Sequence, residues 1–119
     1  MILSHSRKFL FIKTRKTGGT SLEIALSKYC GPKDIITPIS KLDEELRKTN
    51  GFRGRQNYRK QINECNLNEL YRRFIKGIKA KKFYNHISAP EVYTKIPNKT
   101  WNDLFKFTVE RNPWDKTIS

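Results

Sequence analysis

A chain of 119 residues with a formal net charge of +14 has room for one domain with a real core and little more. Its 36% hydrophobic and 30% charged content excludes a disordered polyelectrolyte, and no apolar run reaches the ~18 residues of a membrane-spanning helix. Two cysteines, Cys30 and Cys65, are too few for a disulfide framework, and the residues from Met1 to Arg7 lack the apolar core of a secretory signal, so free thiols in a reducing cytoplasm are expected.

In chain order, residues 8–13 read as the first strand, built on the apolar run Phe9-Leu10-Phe11-Ile12. A polar turn follows, Thr14-Arg15-Lys16-Thr17-Gly18-Gly19. Residues 20–29 then show helical spacing, with Leu22, Ala25, Leu26 and Tyr29 on one face. Strand, glycine-rich turn and helix make a cradle for an anion: paired glycines let main-chain N–H groups approach a ligand, and the helix N-terminus favours negative charge. Lys16 adds a mobile cation, and Thr17, Thr20 and Ser21 add hydroxyl donors.

Gly31-Pro32 stops the first helix. Ile35 to Ile39 is a β-prone run that Pro38 confines to an edge. Ser40, with Asp43 and Glu44, caps a brief helix through Leu46, and Asn50-Gly51 marks a turn. Residues 51–62 are irregular and interleave basic residues with Phe52 and Tyr58, a mixture suited to a loop that faces substrate. Residues 67–79 give the clearest helix, capped by Asn66, and its face of Leu67, Leu70, Tyr71, Phe74, Ile75 and Ile78 is expected in the core. Phe83 to Ile87 reads as a second strand, and Ser88 and Glu91 as a capping box for a helix to about Ile96. A further helical turn is expected at Trp101 to Leu104. Phe105, Phe107 and Val109 alternate with polar residues, which marks a strand, and Asn112-Pro113 opens a last helix.

Strands alternating with helices predict an α/β domain with a mainly parallel sheet, whose ligands gather at the carboxyl ends of the strands. Lys16 and Arg111 both stand just past such ends, and His86 near another. Charge is uneven as well. From Leu46 to Lys82 there are twelve Lys or Arg against two acids, Glu64 and Glu69, a field that attracts polyanions.

The glycine-rich turn is neither a Walker A loop nor a dinucleotide fingerprint, because Lys16 precedes Gly18-Gly19 and the upstream glycine is missing. This argues against a nucleotide kinase or other P-loop NTPase. Lys16-Thr17-Gly18-Gly19-Thr20-Ser21 instead resembles the 5′-phosphosulfate loop of sulfotransferases that use 3′-phosphoadenosine-5′-phosphosulfate (PAPS), with Arg15 where that family commonly has proline. Phe107 to Ser119, FTVERNPWDKTIS, resembles the family's 3′-phosphate motif, in which an arginine and a final serine bind the phosphate. Those positions here are Arg111 and Ser119. His86-Ile87-Ser88-Ala89-Pro90-Glu91, leading into Trp101 and Phe107, is similar to carbohydrate-type members. The resemblance covers both ends of the chain and hardly touches residues 35–80.

The resemblance implies a three-layer, P-loop-kinase-like α/β fold forming one domain over residues 1–119. Because the family continues with further elements, the resemblance implies a domain incomplete at its C-terminus, either a fragment or an unusually short member. It implies PAPS as co-substrate, held by Arg15, Lys16, Thr17, Gly18, Gly19, Thr20, Ser21, Arg111 and Ser119, with no metal. Lys16 would neutralise the leaving phosphate, and His86 would take the acceptor's proton, with Glu91 as the acidic alternative. The acceptor would be a glycan or another hydroxyl- or amine-bearing molecule. A different class is a basic nucleic-acid-binding module, using the loop Gly51 to Lys60 and the face Arg72 to Lys82 without catalysis.

Overall fold

The computed structural model describes residues 1–14 and 19–110. The elements in order are β1 (Ile2–Ser4), β2 (Phe9–Ile12), α1 (Gly19–Ser27), β3 (Ile35–Ile36), α2 (Lys41–Thr49), a 3-10 turn (Ile62–Glu64), α3 (Leu67–Ile75), α4 (Ala89–Lys95), α5 (Asn98–Asp103) and β4 (Phe105–Thr108). They form an α/β domain around one four-stranded sheet of order β3-β1-β2-β4.

The sheet is mixed, which corrects the mainly parallel expectation. β1 runs antiparallel to both β2 and β3, and only β2 and β4 pair in parallel. The cause lies at the N-terminus. Ile2-Leu3-Ser4 is an interior strand ahead of the expected first one, turned back onto β2 through His5 to Lys8. Lys8 takes φ 57° to close that turn. A hairpin makes its two strands antiparallel, whatever the later crossovers do.

Period-two alternation sends side chains to both faces of the sheet. Ile2, Phe11 and Ile36 face one way and meet Phe9, Leu22, Leu26 and Phe107, so α1 covers this side. Leu3, Leu10 and Ile35 face the other way, against Tyr58, Phe83, Ile87, Val92 and Leu104. Burying a side chain such as Phe11 completely stabilises the fold by about 2–3 kcal/mol.

The N-cap residues follow the sequence, but the capping box expected at Ser88 does not close, because the Glu91 carboxylate accepts from Tyr84 instead. The hydroxyls of Ser40 and Ser88 accept from the N–H groups of Asp43 and Glu91, and Asn66 accepts from Glu69. β3 is an edge strand that ends before Pro38, as expected. At the hairpin end of the sheet the buried carboxylate of Asp34 accepts from Ser4 Oγ at 2.8 Å, Ser6 Oγ at 2.8 Å and Gly31 N at 2.7 Å. The N–H groups of His5 and Ser6 add two more bonds. One side chain thus ties the β1–β2 turn to the loop before β3.

Further expectations are corrected. Phe83 to Ile87 is not a strand: Ile87 N–H bonds back to Tyr84, and His86 takes φ 62° in the turn. Phe83 and Ile87 are buried from either end of that turn, so apolar residues four apart imitated a strand. Tyr58 is also buried, so it cannot stack on a ligand from residues 51–62. The stripe on α3 is exposed rather than core; among its residues only Leu70 is half-buried. α3 ends at Ile75, and Gly77 lies beyond its cap at φ 69° instead of inside the helix. Similarly, α1 stops at Ser27, leaving Tyr29 outside it and exposed.

Candidate functional site

The parallel pair β2–β4 builds the site's foundation. Its register sets Ile12 beside Thr108, so both strands finish at one edge of the sheet. Thr108 Oγ1 donates to the Ile12 carbonyl at 2.7 Å, and Thr14 Oγ1 donates to the Val109 carbonyl at 3.2 Å. The chain therefore leaves β2 toward residue 15 and leaves β4 toward residue 111 from neighbouring positions. The expected Arg15, Lys16, Thr17, Gly18, Arg111 and Ser119, and the helix opened by Asn112-Pro113, lie outside the described residues. Gly19, Thr20 and Ser21 are described and form the first turn of α1.

The far side of the turn is anchored by a residue the sequence reading passed over. Lys13 directly follows β2, is almost fully buried, and donates from Nζ to Thr20 Oγ1 at 3.3 Å. The same ammonium lies 2.9 Å from Glu23 Oε2. It ties the end of β2 to the first turns of α1, so residues 14 and 19–20 hold both ends of the glycine-rich stretch. Thr20 thus has a positioning bond beside its expected donor role, while Ser21 is exposed.

Around Glu23 of α1 lies a buried charge cluster. Glu23 Oε1 is 3.1 Å from the Met1 amino group and 3.5 Å from Arg47, which also reaches Glu44 at 3.0 Å. Burial pushes the Met1 amine down to about 6, against the pull of Glu23. Such a cluster endures because each charge has a partner at contact distance. Its signal was readable: a basic residue closes an apolar strand, and Gly19, Glu23 and Ser27 recur at spacing four, the buried stripe of α1. That stripe is polar, so an apolar-periodicity reading looks past it.

His86 comes to the same edge from the opposite direction. Its Nδ1 is 3.3 Å from the Lys13 carbonyl oxygen, across 73 positions of sequence. If Nδ1 carries the hydrogen and donates it there, Nε2 holds the ring's lone pair. Glu91 is differently placed. Its carboxylate accepts from the Tyr84 hydroxyl and lies 3.5 Å from Lys95 Nζ. The Tyr84 hydrogen bond, more than any other contact, holds this carboxyl below the usual range. A carboxylate so occupied is a weaker base than an ordinary glutamate.

Beside the strand ends, Ile12, Thr14, Ala89, Lys106, Phe107 and Thr108 line a cavity of about 240 Å³. It is smaller than the ~300 Å³ at which drug-sized pockets begin, so it suits one portion of a ligand. Among the described residues no group of three His, Cys, Asp or Glu side chains has the placement to hold a metal ion. None of the described helices is long and apolar enough to cross a membrane. Compared with known protein families, curated proteins and solved structures, the chain matches none.

Proposed function

We propose that this chain binds PAPS and transfers its sulfuryl group to a hydroxyl or amine of an acceptor, a carbohydrate above all. The observation that carries this reading is the parallel pairing of β2 with β4, which brings the chain leading into Lys16-Thr17-Gly18-Gly19 beside the chain leading into Arg111. Two motifs far apart in sequence thereby start from adjacent positions, as one cofactor with phosphates at both ends requires. In this reading the fold is a P-loop-kinase-like sulfotransferase domain working in the cytoplasm.

The residues divide the work by chemistry. Main-chain N–H groups of the turn and the α1 N-terminus, with the hydroxyls of Thr17, Thr20 and Ser21, hold the 5′-phosphosulfate. Arg15 adds charge nearby. Lys16 neutralises the phosphate oxygen that gains charge as the sulfur–oxygen bond breaks. Arg111 offers its planar fork to the 3′-phosphate, joined by Ser119. The acceptor oxygen attacks sulfur opposite the leaving phosphate, its proton passes to Nε2 of His86, and adenosine 3′,5′-bisphosphate departs. Fixing Nδ1 on the Lys13 carbonyl suits His86 to this role, since it orients the ring and sets the tautomer. A nucleic-acid module is less favoured, because Tyr58, one of its two candidate stacking rings, is buried.

Calorimetry with adenosine 3′,5′-bisphosphate, 5′-AMP and ATP tests the assignment. The bisphosphate is expected to bind best, and Arg111→Ala to remove roughly tenfold or more of its advantage over 5′-AMP. Equal affinity of the unmutated protein for the bisphosphate and 5′-AMP overturns the reading. For the base, His86→Asn tolerates the positive φ and is expected to lower kcat about 10²–10⁴-fold with nucleotide affinity unchanged. Undiminished turnover in that variant removes His86 from the mechanism.

A further inference from the structure

The segment from Arg59 to Lys82 is an excursion fastened at its base. Arg59 bridges Lys81, Lys60 N–H donates to the Ala80 carbonyl at 2.8 Å, and Lys82 N–H donates to Tyr58 at 2.8 Å. Within it, α3 lies inside out. Its polar side faces the protein: Glu69 pairs with Lys60 at 3.0 Å, and Arg73 Nη1 donates to the Lys60 carbonyl at 3.1 Å. Its apolar side faces solvent, with Leu67 87%, Tyr71 55%, Phe74 67% and Ile75 67% exposed, and Ile78, just beyond the helix, is 45% exposed. So large an outward apolar face marks an interaction surface.

The charges around this face identify the kind of partner. From Leu70 to Pro90 there are six Lys or Arg and no acid. Arg72, Lys76, Lys79 and Lys81 are exposed, and none forms an ion pair among the described residues. A second copy of the chain would bring these cations against their own images, so self-association is opposed by charge. None of the five apolar side chains lines the cavity beside the strand ends, and the helix and the residues just after it present them outward. An outward face of aromatic and branched side chains, bordered by cations, matches a deformable apolar layer under an anionic surface.

We propose that α3 and the basic segment after it dock this protein on an anionic lipid bilayer surface, with Tyr71, Phe74, Ile75 and Ile78 entering the interface and Arg72, Lys76, Lys79 and Lys81 meeting acidic headgroups. The helix lies in the plane of the surface and does not span it. The docking is independent of the sulfuryl-transfer reading, because none of these residues belongs to the strand-end site.

Flotation of the full chain with vesicles tests this, using phosphatidylcholine alone and mixed with phosphatidylserine. Binding is expected on the mixed vesicles, weak on phosphatidylcholine, and reduced by added salt. Phe74→Asn with Ile75→Asn, and separately Arg72→Glu with Lys76→Glu, should each weaken it at least about tenfold. Circular-dichroism melts of both variants should match the parent, since the altered side chains are exposed. Failure to float with the mixed vesicles overturns the proposal, and so does undiminished binding of the Phe74/Ile75 variant, which would reduce the effect to adsorption of a cationic protein. A lipid-free dimer in sedimentation velocity that the same variant abolishes would assign the face to a second copy. Preferential capture of an acidic amphipathic peptide over vesicles would assign it to a protein.

Discussion

Two ion-pair centres hold helices to this molecule, and they differ in every physical respect. Around Glu23 the charges are removed from water: Lys13, Arg47 and the Met1 amine converge on one carboxylate that has no exposure. Around Lys60 the pair with Glu69 keeps part of its hydration, with both side chains partly exposed. The first centre fixes α1 to the end of β2. The second fixes only the orientation of α3. A buried charge without its partner is severely destabilising, whereas a wet pair is worth little. The same residue types thus act as a structural keystone in one place and as a light fastening in the other.

The sharpest way to break the comparison is Glu23→Ala. It leaves Lys13 and Arg47 buried without their shared carboxylate and should cost about 3–5 kcal/mol in urea melts. A loss below about 1 kcal/mol would show that water reaches the cluster and that the two centres are alike.

Asp34 lies between these extremes, a buried carboxylate satisfied by hydrogen bonds instead of ion pairs. Asp34→Asn should cost on the order of 2–3 kcal/mol, because an amide cannot accept at both oxygens. Burial acts to raise its pKa, but the bonds from Gly31, Ser4 and Ser6 outweigh it, so the folded value is lowered. The stabilisation is therefore complete above the ordinary aspartate pKa of about 3.9 and disappears as pH falls through the lower folded value. The acid limb of a stability–pH curve should be shallower in Asp34→Asn than in the parent, and an identical limb would contradict the assignment. The smallest effect belongs to Glu69→Ala, expected to be under about 1 kcal/mol and to fade with added salt.

What could be read from the sequence divides along similar lines. Caps, turns and β4 were legible because their signals are local: Ser40, Asn66 and Ser88 meet N–H groups three residues away. The direction in which a helix faces was not. Spacing correctly joined Leu67, Tyr71, Phe74 and Ile75 on one side of α3, but only the tertiary anchor at Lys60 decides that this side points outward. α2 repeats the lesson, burying Arg47 while exposing Leu42 and Leu46. β1 was missed because three residues are too short for periodicity, and Phe83 to Ile87 was over-read because β-prone composition does not supply a ladder partner. In the candidate site, Thr20 and His86 stood out as polar side chains close to predicted strand ends, and both meet Lys13 at the end of β2. Lys13 and Thr14 did not stand out, since their importance comes from contacts with Glu23 and Val109, distant in sequence or hidden on a polar stripe.

The β2–β4 seam has a consequence for how the molecule comes into being. The bond from Thr108 to Ile12 joins residues 96 positions apart, across nearly all of the chain. Closing so long a loop is entropically costly, and parallel pairing of this reach is slow, so the seam should zip late in folding. Until it does, the ends of β2 and β4 are not held side by side. A nucleotide that spans both would bind the finished state alone and raise its melting temperature by mass action. On a ribosome, the same dependence delays completion of the sheet until β4 has emerged.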